Sequence, residues 1–436
     1  MDPFRFPIRP ARRAPAHAAM SRSDAPTAAA GALPSDQADR RARAAALACM
    51  VGLAVVLGVG RFAFTPLLPL MLADGSIGLK AGGWLASANY AGYFAGAVSC
   101  AALRVAPARM VRFGLAATVL LTAAMGVGHL LPVWLAVRFV AGVVSAWTFV
   151  FMSQWGLRRL AELHAPEWSG VIYAGPGVGI VLTGLIGSAL AGRPAASGWL
   201  GFAALSAVLS VAIWRTFAVA PAPAVPAAGA APHAAAAAAA ASAATADARR
   251  HRADAAWLVV LYGTPGFGYI ITATFLPVIA RAVLPAGSPW PDLFWPMFGA
   301  ALIVGAIAAA RLPGHWDNRL LLAAGCATQA LGIAAGIVWP NALGFSVGSA
   351  LLGLPFTAIT LFAMREARRL HGERAAGLMG YATASYGIGQ ILGPLVAAPL
   401  AARFGSFSPA LWVAVAALLA GAAGFAAIAA KGRLRP

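Results

Sequence analysis

Two arginines stand inside long apolar segments of this chain. Arg61 interrupts an apolar segment from residue 44 to 70, and Arg138 lies within another from 132 to 155. An arginine at the centre of a bilayer costs about 2.5–3.5 kcal/mol on insertion scales, so it needs a compensating partner. Guanidinium groups form charge-assisted, paired hydrogen bonds with carboxylates and other anions. The two residues therefore predict a binding site for an anion.

Each of these arginines has an alternative structural role. Pro66 follows Arg61, and a helix broken by proline leaves backbone carbonyl groups that Arg61 could satisfy instead. Arg138 could clamp backbone carbonyls or act as a coupling element rather than bind a ligand. Asn89 and Tyr93, in the apolar segment 82–103, are expected at a similar depth and either join the binding site or form hydrogen bonds between helices.

Further polar residues occur in two segments of the second half of the chain. Tyr262, Thr264 and Tyr269 lie among glycines and a proline in segment 255–279, a composition typical of a broken helix that exposes backbone polar groups to a cavity. Tyr386 and Gln390 lie in segment 377–401. We predict that these residues complete the site, although helix packing also explains polar side chains beside glycine.

The acidic residues are absent from the middle of every apolar segment. All 13 Asp and Glu residues map to tails, loops or segment ends. Proton relays usually use intramembrane Asp, Glu or His, so an antiporter for cationic drugs is disfavoured. The cysteines have no metal-ligand spacing, and no acid/base pair is visible. We therefore expect no metal, no cofactor and no enzyme activity.

The elements that carry these residues are transmembrane helices. The chain has 436 residues, of which 61% are hydrophobic and 10% charged, whereas soluble proteins are roughly half apolar and a quarter charged. Its mean hydropathy is +0.78. A bilayer requires about 20 apolar residues per helix, which predicts an all-α membrane protein with about twelve spans. The remaining predicted spans are 111–128, 170–191, 198–219, 293–310, 320–339, 342–364 and 409–430.

The net charge of +19 arises from basic residues between the apolar segments. If the N-terminus is cytoplasmic, the opposite side receives only Lys80, Arg193, Arg281 and Arg403. This asymmetry follows the positive-inside rule and predicts that both termini are cytoplasmic. Nucleic acid is therefore not an expected partner, while the lipid bilayer is.

The chain repeats itself after 210 residues. Arg158-Arg159-Leu160 aligns with Arg368-Arg369-Leu370, and several glycines that follow align as well. Parallel repeats of this kind are known from secondary transporters. Met20 is a second candidate for the first residue. The predicted organisation is a disordered cytoplasmic tail at 1–43, a six-helix bundle at 44–219, a cytoplasmic linker at 220–254, a second six-helix bundle at 255–430 and a cytoplasmic tail at 431–436.

Three motifs resemble a known family. They are Gly-Val-Gly-Arg-Phe-Ala-Phe-Thr-Pro-Leu-Leu-Pro at 58–69, Gly-Trp-Leu-Ala-Ser-Ala-Asn-Tyr-Ala-Gly-Tyr at 83–93 and Gly-Ile-Gly-Gln-Ile-Leu-Gly-Pro at 387–394. Together they resemble the YbfB/YjiJ-type branch of the major facilitator superfamily over residues 44–430. The usual acidic motif after the second helix is degenerate, while its counterpart at 314–319 keeps Asp317.

This resemblance implies a transporter of the bacterial inner membrane with twelve helices in two bundles, which works by alternating access. We expect it to be a monomer. We expect it to carry a small organic solute, and the two arginines favour an anion that is co-transported with a proton or exchanged. Efflux of neutral or amphipathic compounds is the alternative. A membrane-embedded enzyme or a sensor is a more distant one.

Overall fold

The computed structural model describes residues 35–218, 241–371 and 375–433, and these ranges are almost entirely helical. The predicted tail at 1–34 and the middle of the predicted linker, 219–240, lie outside the described residues. The α-helices are α1 (Ser35–Leu53), α2 (Phe64–Ala73), α3 (Leu79–Ser99), α4 (Pro107–Val127), α5 (Leu131–Glu162), α6 (Ser169–Ala189), α7 (Ala195–Trp214), α8 (Ala241–Val283), α9 (Trp290–Ala310), α10 (Asn318–Val338), α11 (Ala342–Gly353), α12 (Phe356–His371), α13 (Ala375–Phe404) and α14 (Ser408–Arg433).

The fourteen α-helices of the described residues correspond to the twelve predicted spans, because two of the spans are each divided into two helices. Helices α1 and α2 are joined by a π-helical segment, Ala54–Val59, and form the first span. Helices α11 and α12 form the tenth span and meet at Pro355, which cannot continue a helical hydrogen-bond ladder. Chain breaks of this kind are tolerated in a membrane only where other protein groups satisfy the freed backbone atoms.

Two helices begin well before the predicted spans. Helix α1 begins at Ser35, within the predicted disordered tail that ends at residue 43, and α8 begins at Ala241, within the predicted linker. The segment at the start of α1 is charged and includes an exposed pair between Arg43 and Asp39 at 3.5 Å. A polar helical extension has no apolar periodicity, so the sequence pattern could not show that it continues the first span.

Eleven helices of the described ranges are long and apolar enough to cross a membrane. Helix α3 is not among these eleven, although it has 21 residues and lies where the second span was predicted. It is rich in Gly, Ala and Ser and contains Asn89, which is fully buried. Because α3 packs against both α5 and α13, it presents less surface to lipid and needs fewer large apolar residues.

The two halves, α1–α7 and α8–α14, meet through small residues. A methyl group built on Gly177 of α6 would lie 2.9 Å from the carbonyl oxygen of Gly299 of α9. One built on Gly83 of α3 would lie 3.0 Å from the carbonyl oxygen of Pro394 of α13. Interfaces between membrane helices use small residues because these let the backbones approach closely.

The halves separate toward the end of the bundle that holds the chain termini. Gly177 and Gly387 contact the opposite half, whereas Gly170 and Gly380 would meet nothing within 4 Å. Each of the latter lies seven residues, or about two turns, nearer the terminal end on the same helix face. The contacts between α6 and α9 and between α3 and α13 therefore do not extend to Gly170 and Gly380, which face open space near the terminal end.

Candidate functional site

A break in the first span positions Arg61. Pro66 has no N–H group, so the carbonyl of Phe62 is free to accept a hydrogen bond from the Thr65 N–H at 3.2 Å. Thr65 therefore does not pair with the Arg61 carbonyl, as it would in a regular helix. Arg138 of α5 takes that place, because its Nη2 donates to the Arg61 carbonyl at 3.2 Å and its Nη1 to the Gly60 carbonyl at 3.3 Å.

Close packing of α3 on α5 holds Arg138 at this break. A methyl group on Gly142 would lie 2.0 Å from the Asn89 carbonyl oxygen, and one on Gly92 would lie 1.8 Å from that of Phe139. The Asn89 side-chain amide donates to the Arg138 carbonyl at 2.9 Å. Neither glycine can carry a side chain without moving the two helices apart, so both fix the depth and rotation of Arg138.

The Arg61 side chain points away from its own backbone and toward the second half. Its Nη2 donates to the Gln390 Oε1 of α13 at 2.8 Å. The Gln390 side-chain amide in turn donates to the Tyr269 hydroxyl of α8. The guanidinium carbon lies 4.1 Å from the ring centroid of Tyr93 and 5.1 Å from that of Tyr90, within the range of cation–π attraction.

Both arginines are buried without a carboxylate partner. Arg61 is 5% exposed and Arg138 is 2% exposed. Among the described residues, neither takes part in an ion pair, and the Nε atoms of both are buried without a hydrogen-bond partner. Arg138 is compensated by backbone carbonyls. Arg61 has one neutral amide oxygen as its hydrogen-bond acceptor and lies against the rings of Tyr90 and Tyr93, but no anion neutralises its charge among the described residues.

Aromatic side chains of the second half surround the Arg61–Gln390 bond. Tyr386 lies 4.9 Å from Tyr262 and 5.9 Å from Tyr269 between ring centroids. Phe356 packs edge-on against Tyr269 at 4.9 Å. The Tyr262 hydroxyl donates to the exposed Thr360 at 3.1 Å. The cluster therefore offers flat apolar surfaces and several hydroxyl groups beside one cation.

Eight of the nine predicted site residues lie in this region, and Thr264 does not. The hydroxyl of Thr264 donates to the Leu261 carbonyl of its own helix at 2.8 Å, and its side chain packs on Gly421 of α14. We call the following residues the central cluster: Arg61, Asn89, Tyr93, Arg138, Tyr262, Tyr269, Tyr386 and Gln390. Their role in binding a substrate stays a prediction.

Some residues of the region were not singled out by the sequence. Tyr90 precedes Tyr93 by three positions, which places both rings on one face of α3. Its hydroxyl lies 2.9 Å from that of Thr274 in α8. The spacing from Tyr93 was a signal that could have identified Tyr90. Phe356 and Thr360 follow a helix break that no local pattern connected with the site.

Three further hydrogen bonds join the halves on the side away from the termini. One is the Tyr90–Thr274 contact. The Thr65 hydroxyl donates to the Ala273 carbonyl at 2.9 Å, and the Ser87 hydroxyl donates to the Ile391 carbonyl at 2.8 Å. These bonds seal the interface beyond the central cluster.

A charged cluster occupies the terminal end of the second half. Arg319 donates to Asp317 at 3.0 and 3.1 Å, and Arg369 donates to the buried Glu366 at 2.6 and 2.9 Å. Burial tends to raise the pKa of the Asp317 carboxyl, but hydrogen bonds from Arg319 hold this pKa below its ordinary value. Within the described ranges, no three His, Cys, Asp or Glu residues are grouped as metal ligands.

Comparisons with known proteins agree with this architecture. The structure is similar to that of nucleoside transporter NupG, with a TM-score of 0.67 at 11% identity over 89% of this chain and 98% of that one. A mutant of NupG gives 0.66 at 14% identity over 88% and 99%. A D-xylose-proton symporter gives 0.65 at 11% identity over 88% and 97%. At such low identities the likeness shows the fold, and it confirms the predicted major facilitator architecture.

The sequence comparison identifies the family. No curated protein matches the sequence. The family model described as the uncharacterised MFS-type transporter YbfB matches residues 53–426, which confirms the resemblance noted from the three motifs. With its apolar helices, the chain is a multi-pass membrane protein. It belongs to the family of YbfB-type transporters of the major facilitator superfamily.

Proposed function

We propose that this secondary transporter carries a small organic anion, which binds to Arg61 between the two halves. The observation that supports this proposal is the Arg61 side chain, which is 5% exposed and has no carboxylate partner among the described residues. A buried cation without a counter-ion is unfavourable, and an anionic ligand removes that penalty. A carboxylate is suited to this site because it can accept two hydrogen bonds from one guanidinium group.

Arg138 has a different role in this proposal. Both of its terminal nitrogens already donate to the Gly60 and Arg61 carbonyls. It therefore positions the backbone that carries Arg61 and leaves the ligand to Arg61. Its positive charge lies close to Arg61 and adds to the attraction of an anion.

The sidedness of the open end supports a cytoplasm-facing state. In this proposal both termini lie in the cytoplasm, as the positive-inside rule predicts, and the open space at Gly170 and Gly380 then faces the cytoplasm. Because the acidic residues lie outside the middle of the spans, the anion either brings its proton with it or is exchanged for a second anion. We expect a monomer to perform this transport.

A thermal-unfolding screen of the detergent-purified protein tests the proposal. A ligand that binds the folded state raises the apparent melting temperature. The panel contains organic monocarboxylates, amino acids and cationic dyes. We expect at least one carboxylate to stabilise the wild type and to have no effect on Arg61→Gln. The matched control, Arg104→Gln, changes an exposed arginine and should respond like the wild type.

Uptake of the stabilising anion into proteoliposomes then measures transport. Arg61→Gln should be inactive although it remains folded in the membrane. Normal transport by this variant would contradict the proposal. Stabilisation only by neutral or cationic compounds would instead favour efflux of amphipathic compounds, for which the tyrosine rings of the central cluster would supply the binding surface.

A further inference from the structure

The Gln390 side chain presents an acceptor oxygen to Arg61 in the way that a bound anion would. Its amide nitrogen donates to the fully buried Tyr269, so its oxygen is the atom that faces the Arg61 Nη2 at 2.8 Å. Gln390 itself is 3% exposed. Tyr93 covers one face of the guanidinium group and the Gln390 oxygen occupies a position at its Nη2 edge, so a ligand oxygen that takes that position displaces Gln390.

The Arg61–Gln390 bond is one of the hydrogen bonds that join the two halves, so displacement of Gln390 affects the interface between them. The other cross-half bonds, made by Thr65, Ser87 and Tyr90, lie farther from the termini. A solute that enters the open terminal end therefore meets the Arg61–Gln390 bond first. The backbone at Gln390 is packed tightly against α8. A methyl group built on the neighbouring Gly389 of α13 would lie 2.4 Å from the Gly263 carbonyl oxygen of α8.

We propose that Gln390 is an internal substitute for the substrate: it occupies Arg61 in the empty transporter, and the anion replaces it. This inference rests on the proposed function of Arg61. The exchange breaks the Arg61–Gln390 bond between the two halves. Binding therefore weakens the interface between the halves only when the ligand can replace Gln390 as the hydrogen-bond acceptor for Arg61.

The same exchange sets a minimum strength for the acceptor that a ligand must offer to Arg61. A neutral amide or ester offers Arg61 an oxygen no better than the one it displaces, and therefore gains nothing. A carboxylate offers a charged acceptor and gains a stronger hydrogen bond. The wild type should thus bind carboxylates and reject their neutral amides, even when the rest of the ligand is identical.

Two substitutions of nearly unchanged size separate this role from that of an ordinary substrate ligand. Gln390→Met removes the competing oxygen, and we expect the dissociation constant of a bound carboxylate to fall about tenfold, as for one hydrogen bond to a charged group. Gln390→Glu ties a carboxylate permanently to Arg61. It should abolish the response to the anion and raise the melting temperature of the empty protein.

The experiment measures melting shifts and titrations with the carboxylate panel, using benzoate and benzamide as a matched acid–amide pair. Gln329→Met is the control, because Gln329 is a second buried glutamine, 1% exposed, on α10 of the same half. This variant should bind like the wild type. Gln390→Met should bind the acid more tightly, and binding of the amide should tighten by a similar factor, because both ligands displace the same Gln390 oxygen in the wild type.

The outcomes distinguish the two proposals. If no carboxylate stabilises the wild type, or if Arg61→Gln binds normally, both the proposed function and this inference fail. If the wild type binds an anion through Arg61 but Gln390→Met binds it more weakly, Gln390 is a direct ligand and only this inference fails. Normal anion binding by Gln390→Glu would overturn the inference in the same way.

Discussion

Replacement of Arg138 by lysine tests the structural role of this side chain. In the structure one guanidinium group spans two successive carbonyls, those of Gly60 and Arg61, at 3.3 and 3.2 Å. Lysine has a compact ammonium group and cannot reproduce this fork geometry, so at least one of the two bonds is lost. The broken first span then keeps an unsatisfied carbonyl in a nonpolar environment.

The expected loss of stability can be bounded from these contacts. Hydrogen bonds between membrane helices contribute about 0.6 kcal/mol on average and at most about 1.7 kcal/mol, whereas bonds to charged groups reach about 1.5–3 kcal/mol. Both Arg138 bonds are at the long end of the usual distance range. We therefore expect a loss of about 1–2 kcal/mol, which lowers the apparent melting temperature of a chain of this length by about 1–2 °C, since the unfolding entropy is about 2.1 cal/mol/K per residue.

The assay compares apparent melting temperatures at one scan rate, because unfolding of such proteins is often irreversible. Arg104→Lys is the matched control, since Arg104 is exposed in the connection between α3 and α4 and its replacement should leave the midpoint unchanged. Anion affinity of Arg138→Lys, measured by titration, should change much less than its stability. An unchanged melting temperature together with lost anion binding would refute this reasoning and make Arg138 a substrate ligand.

Two further predictions concern the packing around the site and the loop opposite the termini. Gly142→Ala should destabilise the protein and weaken anion binding, because its methyl group would meet the Asn89 carbonyl at 2.0 Å, whereas Gly201→Ala, with nothing within 4 Å, should be neutral or slightly stabilising in a melting assay. Burial tends to raise the pKa of Asp74, but hydrogen bonds from Ser76 and the Ala195 N–H lower it below the ordinary value of 3.8. The ionised Asp74 therefore makes a small contribution to the stability of the fold at pH values above 3.8, and this contribution is lost as the pH falls through the lowered pKa. The difference in melting temperature between the wild type and Asp74→Asn should therefore disappear on acidification. A difference that does not depend on pH would contradict this prediction.

Much of the fold was predictable because the bilayer restricts what a membrane-spanning chain can do. Apolar length defines the spans, since every backbone group in lipid must be satisfied within a helix. The exceptions were polar helical extensions such as Ser35–Arg43, which lie at span ends. Helix α3 was predicted as a span from its apolar run at 82–103, although it is not apolar enough to be counted among the eleven membrane-spanning helices.

Within the site, helix geometry separated residues that the composition grouped together. Tyr262 and Tyr269 are seven residues apart, about two turns, and share one face of α8. Thr264 follows Tyr262 by two residues and so lies nearly opposite, against Gly421 of α14. Knowing which face of α8 is turned to the cluster would have excluded Thr264, but that orientation depends on the neighbouring helices.

The sequence by itself determined that two arginines would be buried in apolar helices without carboxylates nearby, because both facts depend only on residue type and position along a span. Only the tertiary structure decided which partner each arginine takes. Arg138 meets a carbonyl 77 residues away, and Arg61 meets Gln390, which is 329 residues away in the other half. Such partners are set by how the two halves pack. One arginine therefore holds a broken helix, while the other is left with unanswered charge at the interface.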